Sequence, residues 1–151
     1  MPSLKSLLSS LFGSSNRLSD LETRILDCVR ARLDERIAVL WDKQVQAINK
    51  VQRLPDGVEV NLYRMKGGRP TFDADLAFPN KTEELPLAKA EIKLANAAQK
   101  LVARVWCVNG FLFMIEYEGS VKYFEEAAGL DEQSQLNITC ELTADLALAA
   151  S

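Results

Sequence analysis

The sequence predicts an α+β domain in which N-terminal helices pack on one face of a mostly antiparallel, meander-like β-sheet. Three observations carry this. Residues 19–51 contain neither Gly nor Pro, and their apolar side chains recur at close to the helical period. From Val58 onward the apolar residues alternate instead, between clusters of turn formers. The helical pattern precedes the strand pattern without interleaving, so no βαβ crossover arises and the sheet is antiparallel. At 151 residues the chain is read as one domain over residues 17–151, preceded by an arm and joint over residues 1–16.

The arm, MPSLKSLLSSLFGSSN, reads as a short amphipathic helix with Leu4, Leu7, Leu8 and Leu11 on one side, then a flexible Gly-Ser-Ser-Asn joint. Its serines interrupt the apolar run and no clear small-x-small site follows, which argues against a secretory signal. It is expected to pack on its own domain. The alternative is membrane-surface or partner contact through residues 3–12, for which a single Lys is a poor basic face. No apolar run approaches the roughly 20 residues of a membrane span.

Ser19-Asp-Leu-Glu22 fits a capping box at a helix start. Leu21, Ile25, Val29, Leu33, Ile37, Leu40/Trp41, Val45 and Ile48 then mark one face. An unbroken helix of that length would run about 50 Å, so two helices are expected with a bend near Leu33–Asp34, Asp34 capping the second. Residues 48–54 either finish that helix or begin the sheet before the Pro55-Asp56-Gly57 turn. Val58–Met65 reads as a strand and 66–70 as a turn. Residues 71–79, bracketed by Pro70 and Pro79, read as a short edge segment. In Leu87–Leu94, Ala88, Ala90, Ile92 and Leu94 face one way and Lys89, Glu91 and Lys93 the other, giving a strand with one wet face. Val121–Phe124 and Leu136–Leu142 are further strand candidates, and the Ala-rich segment from Asp145 to Ser151 is expected to fray.

Between these lies the hairpin Val102–Tyr117. Asn109-Gly110 is a strong two-residue turn signal, and strict alternation from it assigns the faces. One face carries Val102, Arg104, Trp106, Val108, Phe111, Phe113, Ile115 and Tyr117. The other carries Ala103, Val105, Cys107, Leu112, Met114 and Glu116, and suits the aliphatic residues of the helices. A buried aromatic covers about 150–250 Å², and monomers rarely leave patches beyond about 300–600 Å² bare. The aromatic face therefore needs a cover: residues 71–86 or 121–135 folding back, the N-terminal arm, a second copy or another protein.

The chain has no histidine. Ser-His-Asp and Cys-His catalysis and His-dependent metal sites are thereby excluded within it. Asp73-Ala-Asp75 is the nearest approach to a cation-binding pair and reads better as a solvated turn. Gly67-Gly68 lacks the phosphate-loop patterns and reads as a tight turn. Cys28, Cys107 and Cys140 show no CxxC spacing and read as buried free thiols in a reducing, cytoplasmic setting. No cofactor or metal is indicated. Net charge is −3, with twelve Lys/Arg against eight Asp/Glu in residues 1–70 and six against thirteen in 71–151. That balance argues against general nucleic-acid binding.

The expected function is that of a non-enzymatic protein-binding module, of the immunity or chaperone type, rather than an enzyme. Its partner, another protein or a second copy, would meet Arg104, Trp106, Phe111, Phe113 and Tyr117 on the aromatic face. The acidic stretch Glu118, Glu125, Glu126, Asp131 and Glu132 would assist. The alternatives are a self-associating structural protein, and a small-ligand binder or carboxylate enzyme built on Glu116, Tyr117, Asp73 and Asp75.

Overall fold

The computed structural model describes residues 14–15, 17–95, 98–129 and 136–149. The long helical pattern divides as its capping residues require. Helix α1 (Asp20–Arg30) starts at Ser19, whose side chain accepts from Glu22 N while Glu22 Oε1 accepts from Ser19 N. Helix α2 (Glu35–Ala47) starts at Asp34, whose side chain accepts from Ile37 N at 3.0 Å. The chain bends between them, and both helices bury one apolar stripe.

The described residues form nine strands: β1 (Ser14–Ser15), β2 (Lys50–Arg53), β3 (Glu59–Tyr63), β4 (Met65–Lys66), β5 (Arg69–Pro70), β6 (Leu85–Leu94), β7 (Lys100–Val108), β8 (Phe111–Glu118) and β9 (Leu136–Leu142). Seven form one sheet in the order β1-β2-β3-β8-β7-β6-β9, and β4-β5 form a small ribbon. Every pairing is antiparallel. The fold is α+β, as the order of the two periodicities requires. Residues 48–54 resolve in favour of a strand, and Ser14–Ser15, read as part of a flexible joint, pair with Val51 and Gln52. Gly67 and Gly68 turn the ribbon at positive φ.

Inward residues of the sheet and the helical stripes form one core that includes Leu21, Ile25, Val29, Ile37, Trp41, Leu62, Ile92, Val105 and Leu112. Three segments differ from the sequence reading. Val121–Phe124 is no strand: Lys122–Ala128 forms helix α3, with Phe124, Ala127 and Ala128 buried at i, i+3 and i+4. That period is visible only when the window extends past Phe124. Residues 71–79 form a loop with one 3₁₀ turn (Ala74–Leu76) instead of an edge strand, because Phe78 leaves the surface to stack on Trp41 at 6.3 Å. The segment expected to fray is anchored at Leu146, which is buried and accepts from Asn80 N at 2.9 Å.

The hairpin turns as expected, with Asn109 and Gly110 both at positive φ and Val108 opposite Phe111. Strict alternation then fails. Cys107 pairs with Leu112 but Trp106 pairs with Met114, so Phe113 is an extra residue, a β-bulge. Every side chain beyond it changes face. Ile115 and Tyr117, assigned above to the aromatic face, lie opposite Val105 and Ala103 and are buried under the helices. Met114 and Glu116 move to the face away from the helices.

Buried side chains stabilise this end of β8. The last β3–β8 pair is Asn61 with Met114. Beyond it, Leu112 N donates to Gln44 Oε1 at 2.8 Å and Leu112 O accepts from Arg64 Nη1 at 2.9 Å. Gln44 Nε2 donates to Gly110 O and Leu76 O, and Arg64 Nε donates to Gln44 O. Two polar side chains thus stand where a neighbouring strand would, leaving the Leu112 backbone groups paired. Burial lowers the Arg64 guanidinium to about 10 and pushes the adjacent Cys107 thiol up to about 12.

Candidate functional site

The face of the sheet away from the helices is built from the half-buried residues of the strand alternation. Its register can be read across strands. One row runs Asn61, Met114, Trp106, Pro86. The next runs Glu59, Glu116, Arg104, Lys89, Glu141, and a third Glu118, Val102, Glu91, Thr139. At the turn end, Phe113 meets Tyr63 edge to face at 5.5 Å, and Lys50 Nζ lies over the Tyr63 ring. The apolar centre of this face is therefore Trp106, Met114, Phe113 and Val102. None of it belongs to the core shared with the helices.

The charges on the four central strands of this face are sorted by strand, with Lys50 on β2 and Glu141 on β9 outside the pattern. Glu59, Glu116 and Glu118 lie on β3 and β8. Arg104, Lys89, Lys93 and Lys100 lie on β7 and β6, with Glu91 among them. Arg104 ion-pairs with Glu118 and Lys100 with Glu91. The Lys100 ammonium holds the Glu91 carboxyl below its usual range. Glu59 and Glu116 sit directly across from each other, and neither has an ion-pair partner among the described residues. Like charges in that position are destabilising. Trp106 Nε1 is shielded from solvent and has no hydrogen-bond partner among the described residues.

The structure divides the residues expected to form one surface. Arg104, Trp106, Phe113 and Glu118 lie together on the open face. Phe111 does not join them as a bare ring: it is 5% exposed and covered by this chain's own Phe72, 5.4 Å away and itself 57% exposed. Tyr117 is 3% exposed on the helix side, its hydroxyl without a hydrogen-bond partner among the described residues. Glu125, on α3, accepts from Ser19 Oγ at 2.8 Å, again on the helix side. Glu126 is exposed on α3. Asp131 and Glu132 lie outside the described residues. The acidic stretch and the aromatic face are therefore not one surface. Sequence reasoning missed Tyr63 and Met114, the first because strand β3 could not be placed beside the hairpin, the second because of the bulge.

The carboxylate alternative does not assemble. Glu116 is on the open face and Tyr117 on the opposite one. Asp73 and Asp75 are exposed, with the Asp73 side chain accepting from Asp75 N. Two clefts of about 340 and 330 Å³ lie at the β9 edge and α1–α2 bend, both lined in part by Arg32 and neither by those four residues. A polar cluster that the sequence did not reveal does form beneath the helices. Arg53 pairs with both oxygens of the buried Glu22, at 2.7 and 2.9 Å. Burial, and then the Glu22 and Glu125 carboxylates, push the Tyr117 phenol up. Burial, opposed by the Ser19 hydrogen bond, raises the Glu125 carboxyl. These groups satisfy the α1 N-terminus and one another. Among the described residues no group of three His, Cys, Asp or Glu side chains could hold a metal ion, and no helix is long and apolar enough to cross a membrane. Comparison with known proteins finds no match to this chain among family models, curated sequences or solved structures.

Proposed function

We propose that the chain is a non-enzymatic protein-interaction module that works through the open face of its sheet, and that the protein it meets there is a second copy of itself. The observation that supports this is the sorting of charge around an apolar centre. Turning a second copy about a two-fold axis parallel to the strands, between β7 and β8, lays β8 of one copy over β7 of the other. Glu116 then faces Arg104 of the second copy, Glu59 faces Lys89, and Met114 faces Trp106. The face is complementary to itself, which a two-fold contact requires, and two sheets stacked this way lie about 10 Å apart. The acidic stretch gives less support to a basic partner, since Glu125 and Glu126 lie on α3 and Glu118 is already paired.

Five strands make a face roughly 20 Å by 20 Å at the usual spacings, so two copies cover on the order of 1,000 Å² in all. That is the lower end for a specific interface, where micromolar association is expected. Sedimentation velocity across a dilution series tests the reading. Glu116→Lys and Arg104→Glu should each shift the midpoint at least tenfold toward monomer with unchanged circular dichroism. Mixing the two variants should restore a dimer. In the mixed pair the introduced lysine faces the introduced glutamate, and the native Arg104 of one copy faces the native Glu116 of the other. A wild type that is monomeric throughout, or a dimer that neither variant disturbs, overturns it.

A further inference from the structure

We propose that Cys28 and Cys140 are a thiol–disulfide site that links helix α1 covalently to the edge strand β9. The two residues are 112 positions apart in sequence, and the fold brings Cys28 Sγ to within 3.0 Å of Cys140 Sγ. That is about 1 Å longer than the bond itself, which is ~2.05 Å. The third thiol, Cys107, is fully buried beside Arg64 on β7. Access is through Cys28, which is half-buried. Cys140 is buried, 6% exposed, in the wall of the cleft of about 340 Å³ at the β9 edge with Arg32, Thr139 and Glu141. As thiols the two contact each other, and Cys28 also approaches Ile138 O at 3.8 Å.

The oxidant assigned to this site is a small organic disulfide of the glutathione class. Cys28, the more exposed of the two residues, attacks as the thiolate; one sulfur–sulfur bond of the reagent breaks, one forms to Cys28, and a reagent thiolate leaves. Cys140 then gives up its proton and attacks Cys28 Sγ, expelling the second reagent thiolate. Two protein thiols are oxidised by two electrons and one reagent disulfide is reduced to two thiols. Burial and the Cys28 contact hold the Cys140 thiol up at about 12, while Arg32 favours its thiolate. The second step is therefore driven by proximity, which exceeds what the thiolate fraction alone would give.

Equilibration of the wild-type protein with millimolar glutathione disulfide, acid quench and alkylation under denaturing conditions tests this. Alkylation should label one cysteine, Cys107, where the reduced protein labels three, and peptide mapping should join the Cys28 and Cys140 peptides within one chain. The closed loop exceeds 100 residues, so the oxidised form should melt about 5–15 °C higher, reversibly with dithiothreitol. Cys107→Ser should behave as wild type; Cys28→Ser and Cys140→Ser should show no thermal shift. Three labelled cysteines at equilibrium, a persistent glutathione adduct on either residue, or cross-linked pairs of chains would each overturn the assignment.

Discussion

The two faces of this sheet are made by adjacent residues of the same strands, yet they obey different physics. Toward the helices, Val105, Cys107, Leu112 and Ile115 are fully buried and form one core with the helical stripes. Away from the helices, Trp106, Met114 and Arg104 stay half-exposed, and charge is sorted by strand. On the buried face, closed packing decides the apolar residues, while Gln44 and Arg64 are tied to backbone and Glu22 to Arg53. On the open face, two glutamates are left side by side with no partner among the described residues. Stability explains the first face. The second keeps two like charges directly across from each other, an arrangement that stability alone does not favour.

The contrast is broken most directly at the bulge. Ile115→Ala removes buried methyl groups from the core and should cost about 2–5 kcal/mol. Met114→Ala, one residue earlier on the open face, should cost less than about 1 kcal/mol in the monomer. Urea unfolding of both variants at low protein concentration is the measurement. The reverse ranking would mean that alternation runs unbroken from Asn109-Gly110 and that the faces are as the simple pattern assigns them.

That same residue marks how far the sequence could be read. The α+β class, the bend capped by Asp34, the Asn109-Gly110 turn and the wet face of β6 were all legible, because each depends on local periodicity or on a residue with a strong backbone preference. The bulge at Phe113 was not. Nothing within the hairpin distinguishes Phe113 from its neighbours; the bulge is accommodated by Gln44 and Arg64, which lie 69 and 49 residues away in sequence. Four of the ten candidate residues, Arg104, Trp106, Phe113 and Glu118, share the open face because they lie before the bulge, on it, or an odd step beyond it. Tyr117 was lost because it lies an even step beyond, and Phe111 because the distant Phe72 covers it. The pairing of Cys28 with Cys140 is likewise a tertiary fact.

Beneath the helices, Glu125 offers a smaller test. Burial raises its carboxyl above the ordinary range, so the folded state favours the protonated form. Its contribution to stability is full below the ordinary carboxylate range and is lost as pH rises through the raised value. Glu125→Gln keeps an oxygen for Ser19 Oγ and removes the charge. It should raise the melting temperature at pH 7 by about 1–3 °C, an effect discounted for partial exposure, with no gain below pH ~4. A loss at pH 7 would show that attraction to Arg53 outweighs burial.

The smallest effect bears most on function. Glu116→Gln removes one of two like charges facing each other across β3 and β8. It should stabilise the monomer by about 0.2–0.5 kcal/mol at low ionic strength, and the gain should shrink as salt shortens the Debye length. In the proposed dimer, Glu116 also faces Arg104 of the second copy, so the same substitution should weaken association several-fold. Gained stability with lost association, measured by urea unfolding of dilute protein and by sedimentation, would identify the Glu59–Glu116 pair as kept for binding. If Glu116→Gln destabilises the monomer, the side chain is held by Arg104 of its own chain. The charge on the open face would then serve the sheet itself, and the difference between the two faces would reduce to one of solvent exposure.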